Sequence, residues 1–266
     1  MIWEGKNVKV SVLIENTVSA SGLTAEHGLS LYIETGDMHI LFDTGATGAF
    51  ADNASKMGVD LSRVDALILS HGHYDHGGGI ETFLQLNSVA PVYFSSHAFG
   101  EHYNAAGKYI GLPRQLSNCP RLIPVTDSLT LAPGIYLECC SGKKAEYPPA
   151  HSGLQIMENG CLHPEEFKHE LYLVIEEKQR ICFSGCAHRG VENIAAWLTP
   201  DVLIGGFHFK QLPPEDPRLE LAAQRLLARN CEYYTCHCTG QVQYETLKRR
   251  MGDRLHYLST GTVLEL

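Results

Sequence analysis

Short apolar runs rich in Val, Ile, Leu, Tyr and Phe recur at 8–14, 29–34, 39–42, 66–70, 91–94, 171–176, 180–184, 201–205 and 232–235. Turn residues bound each run, and their lengths and side chains predict strands. Thr35-Gly36-Asp37 and Glu177-Lys178-Gln179 are short polar joints that predict hairpins. Between the strands the apolar spacing changes to that of a helix. Asp216-Pro217 puts a cap residue before a proline at the first helical position, and Leu219, Ala222, Ala223, Leu226 and Leu227 follow on one face. Val242, Leu247 and Met251 mark a second helix after Thr239-Gly240, and 80–86 and 191–197 mark two more. Strands followed by helices, twice over, predict an α/β chain folded as a four-layer α/β/β/α sandwich. His39-Ile40-Leu41-Phe42-Asp43-Thr44-Gly45 and Arg180-Ile181-Cys182-Phe183-Ser184-Gly185-Cys186 echo each other across the halves, as an internally duplicated fold would require. Residues 97–170 break the rhythm with dense prolines, glycines and turn residues, and are expected to form an insertion capping the active-site face of one domain spanning 1–266.

Composition narrows the class. The chain is 44% hydrophobic and 19% charged, and none of its apolar runs approaches a membrane span. A formal charge of −9 argues against non-specific nucleic-acid binding, which needs a basic surface. The first residues lack the apolar core of a signal peptide. Nine cysteines with no Cys-x-x-Cys pair predict free or metal-bound thiols in a reducing, cytoplasmic setting.

The chemistry concentrates in Ser70-His71-Gly72-His73-Tyr74-Asp75-His76-Gly77-Gly78-Gly79, directly behind an apolar strand. Imidazoles and a carboxylate are ligands for zinc, iron or manganese, and the spacing lets His71 and His73 serve one metal while Asp75 and His76 serve another. Further candidates end strands elsewhere: Asp43, Cys186 with His188 and Arg189 behind it, His208 in Gly205-Gly206-Phe207-His208, and His237 in Cys236-His237-Cys238. Cys186 is either a thiolate ligand or a buried core cysteine, and Asp43 either orients a metal-binding histidine or forms a turn. Arg189 offers a guanidinium suited to phosphate or carboxylate. Cys236 and Cys238, flanking His237 in an extended segment, are expected to face away from it as structural residues.

His-x-His-x-Asp-His resembles the signature of the metallo-β-lactamase superfamily. That resemblance implies one or two divalent metals, with zinc first and iron, manganese or magnesium as alternatives. It implies His71, His73, Asp75, His76, Cys186, His188 and His237 as ligands, with Cys186 where most members carry a bridging aspartate. Asp43 would orient a ligand histidine from behind. The order of Cys186, His208, helix and His237 resembles the tRNA 3′-processing endonuclease branch, which implies proton transfer by His208. The usual His-Thr-x-Gly-His before the second hairpin is missing. Phe167-Lys168-His169-Glu170-Leu171 stands there, so His188 is expected to supply the imidazole, with His169 the alternative. Glu26-His27-Gly28-Leu29-Ser30, Leu41-Phe42-Asp43-Thr44-Gly45, Gly185-Cys186-Ala187-His188 and His237-Cys238-Thr239-Gly240 together resemble the dihydropterin–ribofuranosylaminobenzene phosphate synthase subgroup, and place His27 near the pocket. The expected activity is hydrolysis of a small anionic substrate by metal-activated water, with Asp75, His208 and Arg189 as catalytic residues. Two alternatives stand beside it: condensation of a dihydropterin with an aminobenzene acceptor, and metal or ligand binding without turnover.

Overall fold

A computed structural model describes residues 6–149 and 153–266, so the first residues, read above for a signal peptide, lie at 1–5 outside the described residues. The first half runs β1 (Lys9–Ile14), β2 (Ser30–Glu34), β3 (His39–Phe42), α1 (Ala49–Lys56), β4 (Ala66–Ile68), the single turn α2 (Tyr74–Gly77), α3 (Ile80–Leu86) and β5 (Val92–Ser95). Then come β6 (Glu101–Tyr103), β7 (Leu122–Val125), β8 (Ser128–Ala132), β9 (Ile135–Glu138), β10 (Gln155–Glu158) and β11 (Cys161–Pro164). The second half continues with β12 (Tyr172–Glu176), β13 (Arg180–Phe183), α4 (Val191–Leu198), β14 (Val202–Gly205), α5 (Pro217–Leu227), β15 (Glu232–Thr235), α6 (Gln241–Met251), β16 (Leu255–Tyr257) and β17 (Val263–Glu265).

Two seven-stranded sheets result, ordered β17-β1-β2-β3-β4-β5-β7 and β16-β15-β14-β13-β12-β9-β8. Pairing repeats between them. From β1 to β7 and from β9 to β16, two antiparallel pairings are followed by three parallel ones. The echo between the two hairpins is therefore the β2–β3 hairpin and the β12–β13 hairpin in equivalent places. Strand alternation sorts side chains into layers. Val10, Val12, Leu31, Ile33, Ile40 and Phe42 meet Leu173, Ile175, Phe183 and Ile204 between the sheets. Leu41, Leu67 and Val92 face outward onto Phe50 of α1 and Ile80 and Phe83 of α3. Val174, Leu203 and Tyr233 face the other way, onto Ile194 of α4, Leu219 and Leu226 of α5, and Leu247 of α6. This is the four-layer α/β/β/α sandwich.

The segment 97–170 is not one insertion. β7 extends the first sheet beside β5, and β8 and β9 form the far edge of the second. Among the described residues of this segment, only β6, β10 and β11 stand apart, as a three-stranded sheet. The sandwich strands here are short and half-exposed at sheet edges, so Pro and Gly mask their alternation. Helix α1 and strands β16 and β17 also escape the apolar pattern. Their burial is set by the neighbours they pack on rather than by their own composition.

Candidate metal centre

Beyond β4 the chain runs through Ser70 and His71-Gly72-His73 into α2. The loop is clamped tightly: a Cβ at Gly72 would lie 2.1 Å from Ala98 O, and one at Gly78 would lie 2.2 Å from Ala46 O. Asp43, at the end of β3, adopts a left-handed φ of 60° that aims its carboxylate at this loop. Its Oδ1 accepts from Ser70 N at 2.7 Å, and its Oδ2 accepts from Ser70 Oγ and from His76 Nδ1, both at 2.6 Å. With its proton given to Asp43, Ser70 Oγ accepts from His71 Nδ1 at 2.9 Å. The proton of His71 is thus on Nδ1 and its Nε2 keeps the lone pair, while His76 holds a proton on Nδ1 towards Asp43 and turns its Nε2 to His237 and Cys186.

The second half answers with strand ends of its own. His237 follows β15 with φ 51°, its N–H donating to Glu15 Oε1 at 2.6 Å and its Nδ1 to Asn16 Oδ1 at 2.9 Å. Its Nε2 then lies 3.2 Å from His76 Nε2 and 3.5 Å from Asp75 Oδ2. Cys186, past β13, puts its Sγ 3.3 Å from His76 Nε2. Buried Glu170 holds the following turn, accepting from His188 N at 2.7 Å and Arg189 N at 3.1 Å. Donor atoms of His71, Cys186 and His188 lie within 4.8 Å of one another, as do those of His76, Cys186 and His237. Cys186 sits between the two sets. Asp75 groups with His237 and with half-exposed His27, whose Nε2 is 3.4 Å from Asp75 Oδ2. The ring of His73 lies 4.6 Å from that of His71 and 5.0 Å from that of His188.

Electrostatics match this donor set. Burial holds the His71 and His73 imidazoles well below their ordinary range, so both are neutral near pH 7. Burial disfavours the Asp75 carboxylate too, but His76 and His237 outweigh it and keep the group ionised. Neutral imidazoles with inward lone pairs, an ionised carboxylate and a cysteine are the donors that divalent metals take, and the buried, unpartnered Nε2 of His71 points into them. A cavity of about 410 Å³ opens over the group, lined by His27, Tyr74, His208, Lys210 and Gln211 among others. Ile110 and Leu154 add apolar surface to its lining.

Three expectations change. Arg189 does not line this cavity: its guanidinium donates to the carbonyls of Cys139, Cys140 and Lys143 and lies over Trp197 at 4.4 Å. It ties the segment after β9 to α4, and Lys210 is the cation at the cavity wall. Cys238 does not face away from His237. Residues His237–Thr239 form a tight turn rather than an extended strand. Cys236 therefore enters the inter-sheet core, while Cys238 lines the cavity and groups with Cys186 and His208. His169 accepts from Gly72 N on Nδ1 at 2.8 Å, which leaves its proton on Nε2 and removes both nitrogens as ligands. The ring of His188 stands 5.0 Å from those of His71 and His73.

Glu15, Asn16, Ser70 and Glu170 were not singled out from the sequence. Glu15-Asn16 does end an apolar strand just as Asp43 does, a placement that was there to be read. Ser70 and Glu170 carry no such mark, because their partners come from other parts of the chain.

Residues 23–153 match the model of the metallo-β-lactamase superfamily, covering the strand-end aspartate and the histidine motif. Over that stretch the chain is similar to the metallo-β-lactamase superfamily. The 7,8-dihydropterin-6-methyl-4-(β-D-ribofuranosyl)-aminobenzene-5′-phosphate synthase of Methanocaldococcus jannaschii is 26% identical over 97% of both chains. The crystal structure of Tm1679, a metal-dependent hydrolase of the β-lactamase superfamily, superposes with a TM-score of 0.84 at 25% identity, covering 97% of this chain and 99% of that one. The metallo-β-lactamase fold protein YhfI from Bacillus subtilis shares the fold at a TM-score of 0.62 and 15% identity, over 98% of this chain and 100% of its own. Among the described residues no helix is long and apolar enough to cross a membrane.

Proposed function

We propose that the protein is a metal-dependent hydrolase of a small anionic substrate. The observation that carries this reading is the pair of donor sets sharing Cys186 at the floor of the cavity. His71, His73 and His188 would hold one divalent ion, and Asp75, His76 and His237 a second, with Cys186 between them. The cysteine favours zinc or iron over magnesium, which prefers oxygen ligands. Bound there, such ions supply Lewis acidity and lower the pKa of water from 15.7 to about 7.

The chain's own groups supply the rest. Asp75, ionised and beside His237, accepts a hydrogen bond from the attacking water and sets its direction. His208 lines the same cavity and is placed to give a proton to the leaving group. Lys210 offers the positive charge that an anionic substrate needs, the role first expected of Arg189. Free cysteines, none joined by a disulfide, support a reducing, cytoplasmic setting. The net charge of −9 supports a small-molecule substrate rather than a nucleic acid.

The test is turnover of phosphodiesters, lactones and thioesters by metal-loaded protein. His71→Ala should abolish both metal binding and turnover, and full activity without metal would sink the reading. The synthase relative, matched over 97% of the chain, favours a second reading in which a dihydropterin diphosphate is condensed with an aminobenzene acceptor. Condensed product without a burst of hydrolysis would establish that one. Full metal loading with no turnover of either kind would leave a metal- or ligand-binding protein.

A further inference from the structure

Strand β6 of the small sheet brings His102 up behind the metal centre. His102 Nδ1 meets Glu165 Oε2 at 2.7 Å, and neither side chain is more than 3% exposed. Carboxylates accept, so the His102 proton sits on Nδ1 and its Nε2 keeps the lone pair. That Nε2 and the Nε2 of His73 are both buried, and neither has a hydrogen-bond partner among the described residues. One ring nitrogen from each of His73, His102 and His169 lies within 4.8 Å of the other two.

Donor and acceptor roles sort the three rings. His169 carries its proton on Nε2, because Gly72 N–H occupies its Nδ1. A metal ion among the three nitrogens is disfavoured by that proton. The His169 ring also stacks on His102, with centroids 4.1 Å apart and planes at 25°. A stacked ring cannot aim its N–H along the in-plane lone pair of its neighbour, and His169 Nε2 lies instead 3.9 Å from Glu165 Oε1. His73 stands differently, 5.6 Å from His102 with the planes at 78°. Its edge is the one free to meet the His102 lone pair. The backbone fixes this arrangement: Tyr74 N donates to Ile110 O, Ile110 N donates to His102 O, and His73 bridges to Gly111.

We propose that Glu165 and His102 are positioning residues for the metal centre, setting which nitrogen of His73 is offered to the cavity. Glu165 fixes the His102 tautomer, the His102 Nε2 lone pair then favours a proton on the His73 nitrogen nearest to it, Nε2, and His73 Nδ1 is left with its lone pair towards the cavity. The proposal rests on the metal-centre reading above. It also gives the small sheet a task beyond covering the site, since β6 and the segment ahead of β12 then set a ligand that the sandwich itself provides.

Long-range ¹H–¹⁵N correlation on histidine-labelled, chelator-stripped protein tests it. The wild type should show His102 protonated on Nδ1 and His73 on Nε2. Glu165→Gln should mix both tautomers and weaken zinc binding by about 10–100-fold in a chelator competition, the usual scale for such outer partners. His73 protonated on Nδ1 in the wild type would overturn the proposal, as would unchanged tautomers and zinc affinity in Glu165→Gln. The wild-type tautomers decide the matter even where a variant fails to fold. A wild-type protein that shows these tautomers yet binds neither zinc nor iron would overturn the hydrolase reading and leave the tautomer assignment supported.

Discussion

Asp43 accepts from Ser70 and His76 at once, so it sets the tautomers of two histidines through one carboxylate. Asp43→Asn keeps the shape but turns an N–H towards one of those donors. We expect metal affinity to fall about 10–100-fold, with little change in melting temperature, as read by competition with a chromogenic chelator. Cys236 and Cys238 separate in the same way. Cys236→Ser puts a hydroxyl into the inter-sheet core and should lower stability by about 1–3 kcal/mol while sparing metal affinity. Cys238→Ser should do the reverse, because its thiol shares the cavity with Cys186 and His208. Equal effects of the two substitutions on metal binding would contradict the turn at His237. At this scale His71, His73, Asp75 and His76 were legible because they are contiguous behind a strand. Cys238 was misread because periodicity treats Cys-His-Cys as extended, whereas the fold bends it.

Elements hold the centre by connecting loops to helices as much as by packing. Asn53, fully buried on α1, donates to the carbonyls of Leu13 and Thr24 and accepts from Thr24 N, joining β1 and the following loop to the helix. Asn53→Ala strands those buried groups and should lower stability by about 1–3 kcal/mol in urea denaturation. The loop it braces carries Glu15, Asn16 and His27, so metal affinity should fall with it. Wild-type stability in this variant would show that the loop is held by other contacts. The long helices α5 and α6 were readable from apolar spacing and capping, since each buries one face against a sheet. Helix α1 was not, because its buried face is short, Phe50 and Ala54 with the polar Asn53 between them. The edge strands β7 and β8, and β9 beside β8, were hidden for a related reason: at a sheet's margin only part of one face need be apolar.

For the molecule as a whole, the buried histidines tie stability to pH. Burial holds His71, His73 and His169 well below the ordinary imidazole value. The unfolded chain therefore binds more protons than the folded one once pH drops below about 6.5. Stability should fall on that side, by up to about 1.4 kcal/mol per pH unit for each ring. His76 works in the opposite sense. Burial opposes its charge, but Asp43 and Asp75 outweigh burial and raise it to about 9. Its contribution is complete below about 6.5 and is lost as pH climbs through the raised value. Chelator-stripped protein should thus show its highest urea midpoint near neutrality. A midpoint that rises on acidification towards about pH 5 would contradict the neutral, buried state of the three rings.

The sequence by itself determined the layers and the first metal-binding run, because both are local: alternation places side chains on faces, and a short motif carries its ligands together. Only the tertiary structure decided how that run is completed. Asp43, Glu15, Asn16, Cys238 and Glu165 act across separations of tens to hundreds of residues. Their roles depend on which ring nitrogen each histidine turns inward. Hydrogen bonds between segments far apart along the chain set that choice, and residue spacing cannot encode it.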